Sequence, residues 1–205
     1  GGGDTLCRDN PRLTSRLGQA ESAGPEQPLA VVVSSRLPDA DATLHLVSER
    51  PESTIFWTGI KEADSPKAKK LRTKGVRVLG LPHRSHPAPA QDEGAGLDLA
   101  FGLGKLRAEY GCRYVLCEGG GKLGLSLLRD TLAHEVYLHM APKIFADNAA
   151  APLFDGLAPE KVDDALGLRF VDAAFSGGDL ALALRPPRTT LYRPAATRGA
   201  QCSPA

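Results

Sequence analysis

Short apolar stretches rich in β-branched residues alternate along this chain with segments that carry helix signals. The stretches "PLAVVVSS" (28–35) and "TIFWT" (54–58) have the composition of strands buried on both faces, and "VRVLGLP" (76–82) also reads as a strand. Between the last two, "SPKAKKLRTKG" (65–75) begins with serine and proline and ends in glycine, which is typical of a short surface helix. The alternation predicts an α/β fold with a mostly parallel central sheet and helices on both faces.

The second half of the chain continues the alternation and then departs from it. Helices are predicted at 97–111, weakened by Gly102 and Gly104, and at 122–134. Strands are predicted at 113–119 ("RYVLCEG") and 135–145 ("EVYLHMAPKIF"). The segment 168–186 reads as an antiparallel C-terminal hairpin closed by two glycines. We therefore expect one domain over residues 1–185, followed by a flexible tail at 186–205.

Composition removes several classes of function. The net charge of +1 provides no basic field for nucleic acid, and no apolar run reaches the roughly 20 residues that cross a bilayer. Four cysteines in 205 residues are too few for a disulfide scaffold, so we expect a reducing, cytoplasmic setting. Cys112 and Cys117 are a poor metal pair, and no other metal-binding pattern is present. We predict no metal site, no nucleic-acid partner and no membrane partner.

Three glycines follow a glutamate in "CEGGGKLG" (117–124), where a predicted strand passes into a predicted helix. Backbone amides without neighbouring side chains can approach a phosphate closely at a helix N-terminus. The motif is neither a Walker A loop nor a complete dinucleotide fingerprint. A close strand-to-helix turn without a ligand is the alternative. Glu118 would repel a phosphate, so we expect it to contact a hydroxyl or amino group of a second ligand.

Two further segments could bind anions. The opening "DTLCRDNPRLTSR" contains an Asp-Asn-Pro turn signal and arginines at every fourth position, whose guanidinium groups suit phosphate. In "VVVSSR" (31–36), the serines and the arginine stand at the end of a predicted strand and could hold the 2′-phosphate of NADP. For the opening segment, a solvated loop with scattered surface charges is an equal alternative.

The segments "DTLCRDNPRLTSR", "QPLAVVVSSR" and "CEGGGKLGLSLLRDTLAHEVYLHMAPKIF" resemble, in this order, the reductase domain of the bifunctional riboflavin-biosynthesis deaminase/reductase. The resemblance implies a dihydrofolate-reductase-like fold, a homodimer, and use of NADPH to reduce 5-amino-6-(5-phosphoribosylamino)uracil to its ribitylamino product. The implied chemistry is delivery of hydride to the sugar carbon C1 as the ring opens, while a proton goes to the ring oxygen.

The same resemblance assigns roles to residues of this chain. Substrate contacts fall on Leu13, Arg16 and Glu118, with Arg16 serving the phosphate. The residues assigned to the cofactor are Thr5, Asp9, Ser35, Gly120, Gly121, Lys122, Leu123, Gly124, Leu125 and Ser126. Glu118 and, as a polar group near the nicotinamide, Asp9 are the candidates for catalysis.

The chain departs from the resemblance at its start, where such domains carry a further strand and helix that hold additional contacts. We expect the sequence to be a fragment of a longer chain, such as one that also carries a deaminase domain. Two alternatives therefore stay open: a catalytically degenerate nucleotide-binding module, and a dihydrofolate-reductase-like enzyme that acts on another pterin or pyrimidine.

Overall fold

A computed structural model describes residues 2–15, 27–84, 96–156, 159 and 161–187, with the backbone alone at residues 4, 5 and 7. The chain divides into two compact units. The first comprises Gly1–Leu127 and Ala151–Ala158, and the second comprises Leu128–Ala150 and Pro159–Ala205. The predicted tail lies outside the described residues from position 188 onward. In the described ranges, no helix combines the length and the apolar character needed to span a membrane.

The first unit contains a parallel sheet of three strands in the order β1-β2-β3. Its strands are β1 (Ala30–Val33), β2 (Thr54–Gly59) and β3 (Arg77–Leu81). The central strand β2 is buried from Thr54 to Thr58, which confirms the prediction of burial on both faces. The same prediction is wrong for β1, where only alternate residues are buried: Ala30 and Val32 point to the face that carries the buried cluster, and Val31 and Val33 point to the other face.

Six α-helices accompany the strands in the part of the chain that the structure describes. They are α1 (Gly3–Asp9), α2 (His45–Ser48), α3 (Ile60–Ala63), α4 (Pro66–Thr73), α5 (Leu99–Tyr110) and α6 (Gly121–Arg129). The predicted signals cap two of them: the side chain of Ser65 accepts a hydrogen bond from the amide of Ala68 at the start of α4, and α5 ends at Gly111 with φ 64°. Both predicted helices are therefore confirmed. The prediction succeeded because capping signals act within a few residues of the chain.

Helices pack on both faces of this sheet, as predicted. Val32 and Phe56 belong to a buried cluster with Leu6 of α1, Leu46 of α2 and Leu71 of α4. Successive strand residues point to opposite faces, so Trp57 points away from this cluster. Its ring lies against α5, where a Cβ built on Gly102 would come within 2.9 Å of the indole.

The strand predicted at 113–119 is wrong. Residues 111–120 have no regular secondary structure, and Tyr114 and Leu116 are 87% and 76% exposed. A β-branched and aromatic composition favours a strand only where a neighbouring strand pairs with it. The helix predicted at 122–134 also ends early, at Arg129, because Thr131 adopts left-handed backbone (φ 56°).

The second unit contains an antiparallel sheet in the order β4-β6-β5. Its strands are β4 (Val136–Met140), β5 (Arg169–Ser176) and β6 (Asp179–Arg185). The predicted C-terminal hairpin is confirmed: Gly177 and Gly178 form the turn between β5 and β6 with φ of 60° and 94°. Positive φ at both positions suits the tight turns whose twist matches that of the paired strands. The strand predicted at 135–145 is confirmed for Val136–Met140 only.

Candidate functional site

A cleft of ≈ 180 Å³ in the first unit brings together three of the predicted site residues, Asp9, Leu13 and Glu118. The other residues that line it are Gly2, Leu6, Pro11 and Val32. Leu6 and Val32 are 2% and 1% exposed and provide an apolar floor. The carboxyl groups of Asp9 and Glu118 belong to exposed residues. The cleft therefore combines an apolar surface with two acceptor groups.

Helix α1 holds Asp9 at the cleft because its first residues pack against the end of β1. Gly2 forms a parallel bridge with Val33. A Cβ built on Gly3 would overlap the side chain of Ser34, with the Ser34 Cβ at 2.8 Å. Glycine at position 3 is thus required by close packing, and this packing places Leu6 and Asp9, three residues apart, on neighbouring turns of one helix face.

Asn10 ends α1 and attaches the following loop to α2. Its backbone is left-handed (φ 41°), and its amide donates to the carbonyl of Leu6 at 3.1 Å. The side-chain amide donates to the carbonyl of Thr43 at 2.9 Å, and its oxygen accepts from the amide of His45 at 2.9 Å. The Asp-Asn-Pro signal in the sequence therefore marks a structural anchor for the loop that carries Leu13.

Arg12 is held by Glu49 in this structure. Its Nε and Nη2 atoms donate to the two carboxylate oxygens at 3.0 and 3.2 Å. The hydrogen bonds to Glu49 raise the pKa of Arg12, and those from Arg12 and then His45 lower the pKa of Glu49. Of the three arginines that could bind phosphate, Arg8 is exposed and Arg16 lies outside the described residues.

The three glycines have separate structural reasons. Gly119 and Gly120 have φ of 114° and 82°, which side chains rarely allow. A Cβ built on Gly121 would lie 3.1 Å from the carbonyl oxygens of Pro152 and Leu153. Backbone of this chain therefore packs against the first turn of α6. Close approach at Gly121 is explained without a ligand.

The remaining predicted cofactor residues are distributed along α6 and the end of β1. Lys122 is exposed, with its Nζ 3.9 Å from Asp155, whereas Leu125 is buried and could reach a ligand only through its backbone. Gly124 faces the ring of Phe154, and Leu123 and Ser126 are half-buried.

Two of the predicted cofactor residues lie away from α6. Ser35, which follows β1, is exposed. For Thr5 the structure describes only its backbone within α1.

Sequence reasoning missed part of this site. The sequence patterns do not place Gly2, Leu6, Pro11 or Val32 at the cleft, and they predict a turn or a solvated loop in the opening segment, where α1 forms. The spacing of Leu6 and Asp9 was the available signal, since residues three apart share a helix face. Glu49 and Arg50, which hold the loop from outside, carry no local signal because they lie more than thirty positions away along the chain.

Comparison with solved structures defines the class of this fold. The RibD structure of Acinetobacter baumannii (form 1) superposes with a TM-score of 0.68 at 24% sequence identity, over 91% of this chain and 46% of that chain. At this identity the likeness shows the fold alone, which is an α/β fold of the dihydrofolate-reductase-like type.

Sequence comparison identifies the family. A family model described as the RibD C-terminal domain matches residues 1–182. The chain belongs to this family.

Two curated relatives carry names that describe their function. The riboflavin biosynthesis protein RibD of Actinobacillus pleuropneumoniae is 28% identical over 88% of this chain and 44% of that protein. The 2,5-diamino-6-ribosylamino-4(3H)-pyrimidinone 5′-phosphate reductase of Methanothermobacter thermautotrophicus is 28% identical over 86% of this chain and 74% of that protein. The chain spans less than half the length of the RibD proteins it matches.

Proposed function

We propose that this chain is the NADPH-dependent reductase of a riboflavin pathway, acting on 5-amino-6-(5-phosphoribosylamino)uracil. The observation that carries the proposal is the meeting of Asp9, Leu13 and Glu118 in one cleft, since the resemblance assigns each of these residues to a ligand. The reductase name of the Methanothermobacter relative supports the type of reaction. The family match over 1–182 supports treating residues 1–185 as one reductase domain.

The size of the cleft limits what it holds. At ≈ 180 Å³ it is smaller than the roughly 300–1,000 Å³ of typical small-molecule sites. It therefore accommodates one ring rather than a complete substrate together with a cofactor. We assign it to the uracil ring, which would pack on Leu6, Leu13 and Val32.

The chemistry of the cleft suits the aminouracil end of the substrate. Amino, ring N–H and ribose hydroxyl groups are donors, and the carboxylates of Asp9 and Glu118 are acceptors. The substrate phosphate would be repelled by both carboxylates, so it must extend away from them. We assign it to Arg16, whose guanidinium suits bidentate phosphate contact.

The proposed cofactor contacts are Thr5, Asp9, Ser35 and residues 120–126. When bound, the nicotinamide would supply the hydride. The residues fit the phosphates of the cofactor in one respect: α6 begins with glycine and directly follows two more, so positions 119–121 place no side chain of their own over its first amides. The segment 152–155 packs against Gly121 and must leave that side for phosphates to reach it. The chain's own part is to orient the uracil ring of the substrate and to place Asp9 and Glu118 beside that ring.

The proposed homodimer is supported by an exposed apolar face on the antiparallel sheet. Cross-strand partners in register form three rows on this face: Val136, Leu184 and Phe170; Leu138, Leu182 and Ala173; Met140, Leu180 and Phe175. Phe170 and Phe175 are 71% and 86% exposed. Large exposed apolar patches mark interaction sites, and we propose that a second copy of the chain covers this patch.

Two free cysteines, Cys112 and Cys117, are compatible with the proposed reducing, cytoplasmic location.

The proposal is tested by titrating the purified chain with NADPH and then following NADPH oxidation with the aminouracil phosphate as substrate. Saturable binding and turnover are expected. Binding without turnover would favour the degenerate nucleotide-binding module, for which the close packing of 152–155 on Gly121 is a supporting observation. Turnover with dihydrofolate or another pterin in place of the aminouracil would favour the second alternative, a dihydrofolate-reductase-like enzyme that acts on another pterin or pyrimidine.

A further inference from the structure

We propose that Arg50 is a positioning residue for the substrate: it holds Leu13 in the backbone conformation that places this residue in the cleft. The inference rests on the proposed function and deepens it. Neither the sequence patterns nor the resemblance assigns a role to Arg50. The guanidinium acts on substrate only through Leu13. It is not among the residues that line the cleft.

The backbone at Leu13 is unusual for a leucine. Its φ is 48°, in the left-handed region that branched or bulky side chains rarely adopt. Such conformations persist where surrounding structure holds them, and they concentrate at ligand sites. Leu13 packs against the buried cluster of the first unit and also lines the cleft. Something must therefore hold this backbone in place.

Arg50 contacts both sides of this residue. Its Nη1 donates to the carbonyl oxygens of Arg12 at 2.8 Å and of Leu13 at 2.9 Å. Its Nη2 donates to the carbonyl oxygen of Pro28 at 2.5 Å, shortly before β1 begins. One planar guanidinium thus links the loop to the chain entering β1, which contributes Val32 to the same cleft.

The fork shape of arginine is what this arrangement uses. Three carbonyl oxygens are satisfied by donors fixed in one plane, whereas a lysine ammonium is a single point charge on a flexible stem. The neighbouring Glu49 holds the side chain of Arg12 from the same region. Glu49 and Arg50 directly follow α2. Glu49 holds the side chain of Arg12, and Arg50 holds the backbone of the same loop.

Arg72 offers a matched control. Its Nη1 and Nη2 donate to the carbonyl oxygens of Ala63 and Val78, both at 2.9 Å, and none of these residues lines the cleft. Replacing either arginine by methionine removes the same kind of bond within the first unit. A merely structural role predicts that Arg50→Met and Arg72→Met behave alike.

The first measurement needs no activity. Hydrogen exchange is followed in the 205-residue chain for the wild type, Arg50→Met and Arg72→Met. Arg50→Met is expected to speed exchange at the amides of residues 12–15, and Arg72→Met is expected to leave them unchanged. Unchanged exchange in Arg50→Met would overturn the proposal whether or not the chain turns substrate over.

The second measurement separates positioning from stability. Arg50→Met is expected to raise the KM for the aminouracil phosphate about tenfold with little change in kcat or in the KM for NADPH. Arg72→Met is expected to lower the Tm without this change in KM. In a Leu13→Ala background, Arg50→Met should add no further increase, because the two residues act as one unit.

The results distinguish the two proposals. An additive effect of Arg50→Met and Leu13→Ala on KM, or equal KM values in Arg50→Met and wild type, would overturn the positioning role while leaving the proposed function intact. A wild-type chain that neither binds NADPH nor turns over substrate would overturn the proposed function. Faster exchange confined to Arg50→Met would then still establish that Arg50 holds Leu13.

Discussion

The indole ring of Trp57 lies so close to Gly102 that a Cβ added to the glycine would come within 2.9 Å of the ring carbons Cη2 and Cζ3. Trp57 is only 4% exposed in the central strand, so it has little freedom to move. Glycine at this position allows α5 to approach the sheet. This close packing explains why position 102 is glycine, a residue that in the sequence only weakens the predicted helix.

Gly102→Ala is expected to lower the free energy of unfolding by about 1–3 kcal/mol, the usual cost of overpacking a core. Gly104 is the matched control, because a Cβ there meets no atom within 4 Å. Gly104→Ala should raise stability by about 0.5–1 kcal/mol through improved helix propensity. Denaturant unfolding of both variants checks the opposite signs, and equal effects would contradict the packing explanation.

Glu118→Gln is expected to reduce kcat/KM for the aminouracil phosphate by at least about tenfold, because a carboxylate in the cleft accepts stronger hydrogen bonds than an amide. Steady-state kinetics checks this. Glu52→Gln is the control, since Glu52 is exposed and does not line the cleft. If the two variants retained equal activity, Glu118 would have no part in substrate binding.

Phe154→Ala is expected to tighten NADPH binding several-fold. The ring of Phe154 faces Gly124, 3.3 Å from a Cβ built there, and its neighbours cover Gly121. Loosening this segment should make the start of α6 easier for phosphates to reach. Calorimetric titration measures the change, with Phe101→Ala on α5 as the control. Weaker binding in Phe154→Ala would mean that the segment contributes to the cofactor site.

Glu135 is expected to make the stability of the second unit depend on acid pH. Hydrogen bonds from Tyr137, at 2.6 Å, and from Arg185 lower the pKa of Glu135. A lowered folded-state pKa means that this stabilisation is complete above the ordinary carboxyl pKa and is lost as pH falls through the folded value. The pKa of Tyr137 is raised by the same contact, so its contribution is lost in alkali, as pH rises through the folded value.

Thermal unfolding of Glu135→Gln across pH tests this. The Tm difference from wild type should be largest near neutral pH and should shrink toward about pH 3. Glu109→Gln, which removes an exposed pair with Lys105, serves as the control and should show little difference at any pH. A constant Tm difference for Glu135→Gln would contradict the assigned cause.

Phe175→Glu is expected to convert the proposed dimer into a monomer, because it places a charge within the apolar face of the antiparallel sheet. Analytical ultracentrifugation measures the association state. His139→Glu is the control: His139 pairs with Ala181 on the opposite face of the same sheet. A dimer that survives Phe175→Glu would exclude this face as the interface.

Local signals in the sequence predicted much of the secondary structure. Ser65 and Pro66 start α4 where expected, Gly111 ends α5, and Gly177-Gly178 closes the hairpin. Each of these signals acts within a few residues, through a cap or a backbone conformation that glycine allows. The strand predicted at 113–119 failed because pairing depends on a partner that composition does not specify.

The sequence by itself determined the α/β class and the hairpin, and its resemblance to a reductase domain predicted which residues form the site. Only the tertiary structure decided that Asp9, Leu13 and Glu118 share one cleft, that Gly121 is contacted by the chain's own backbone, and that Arg50 holds Leu13. The physical reason is the separation, along the chain, of the residues that make each contact. Caps and turns are set by neighbours in sequence, whereas clefts and close approaches arise from contacts between residues far apart in the chain, which no local pattern encodes.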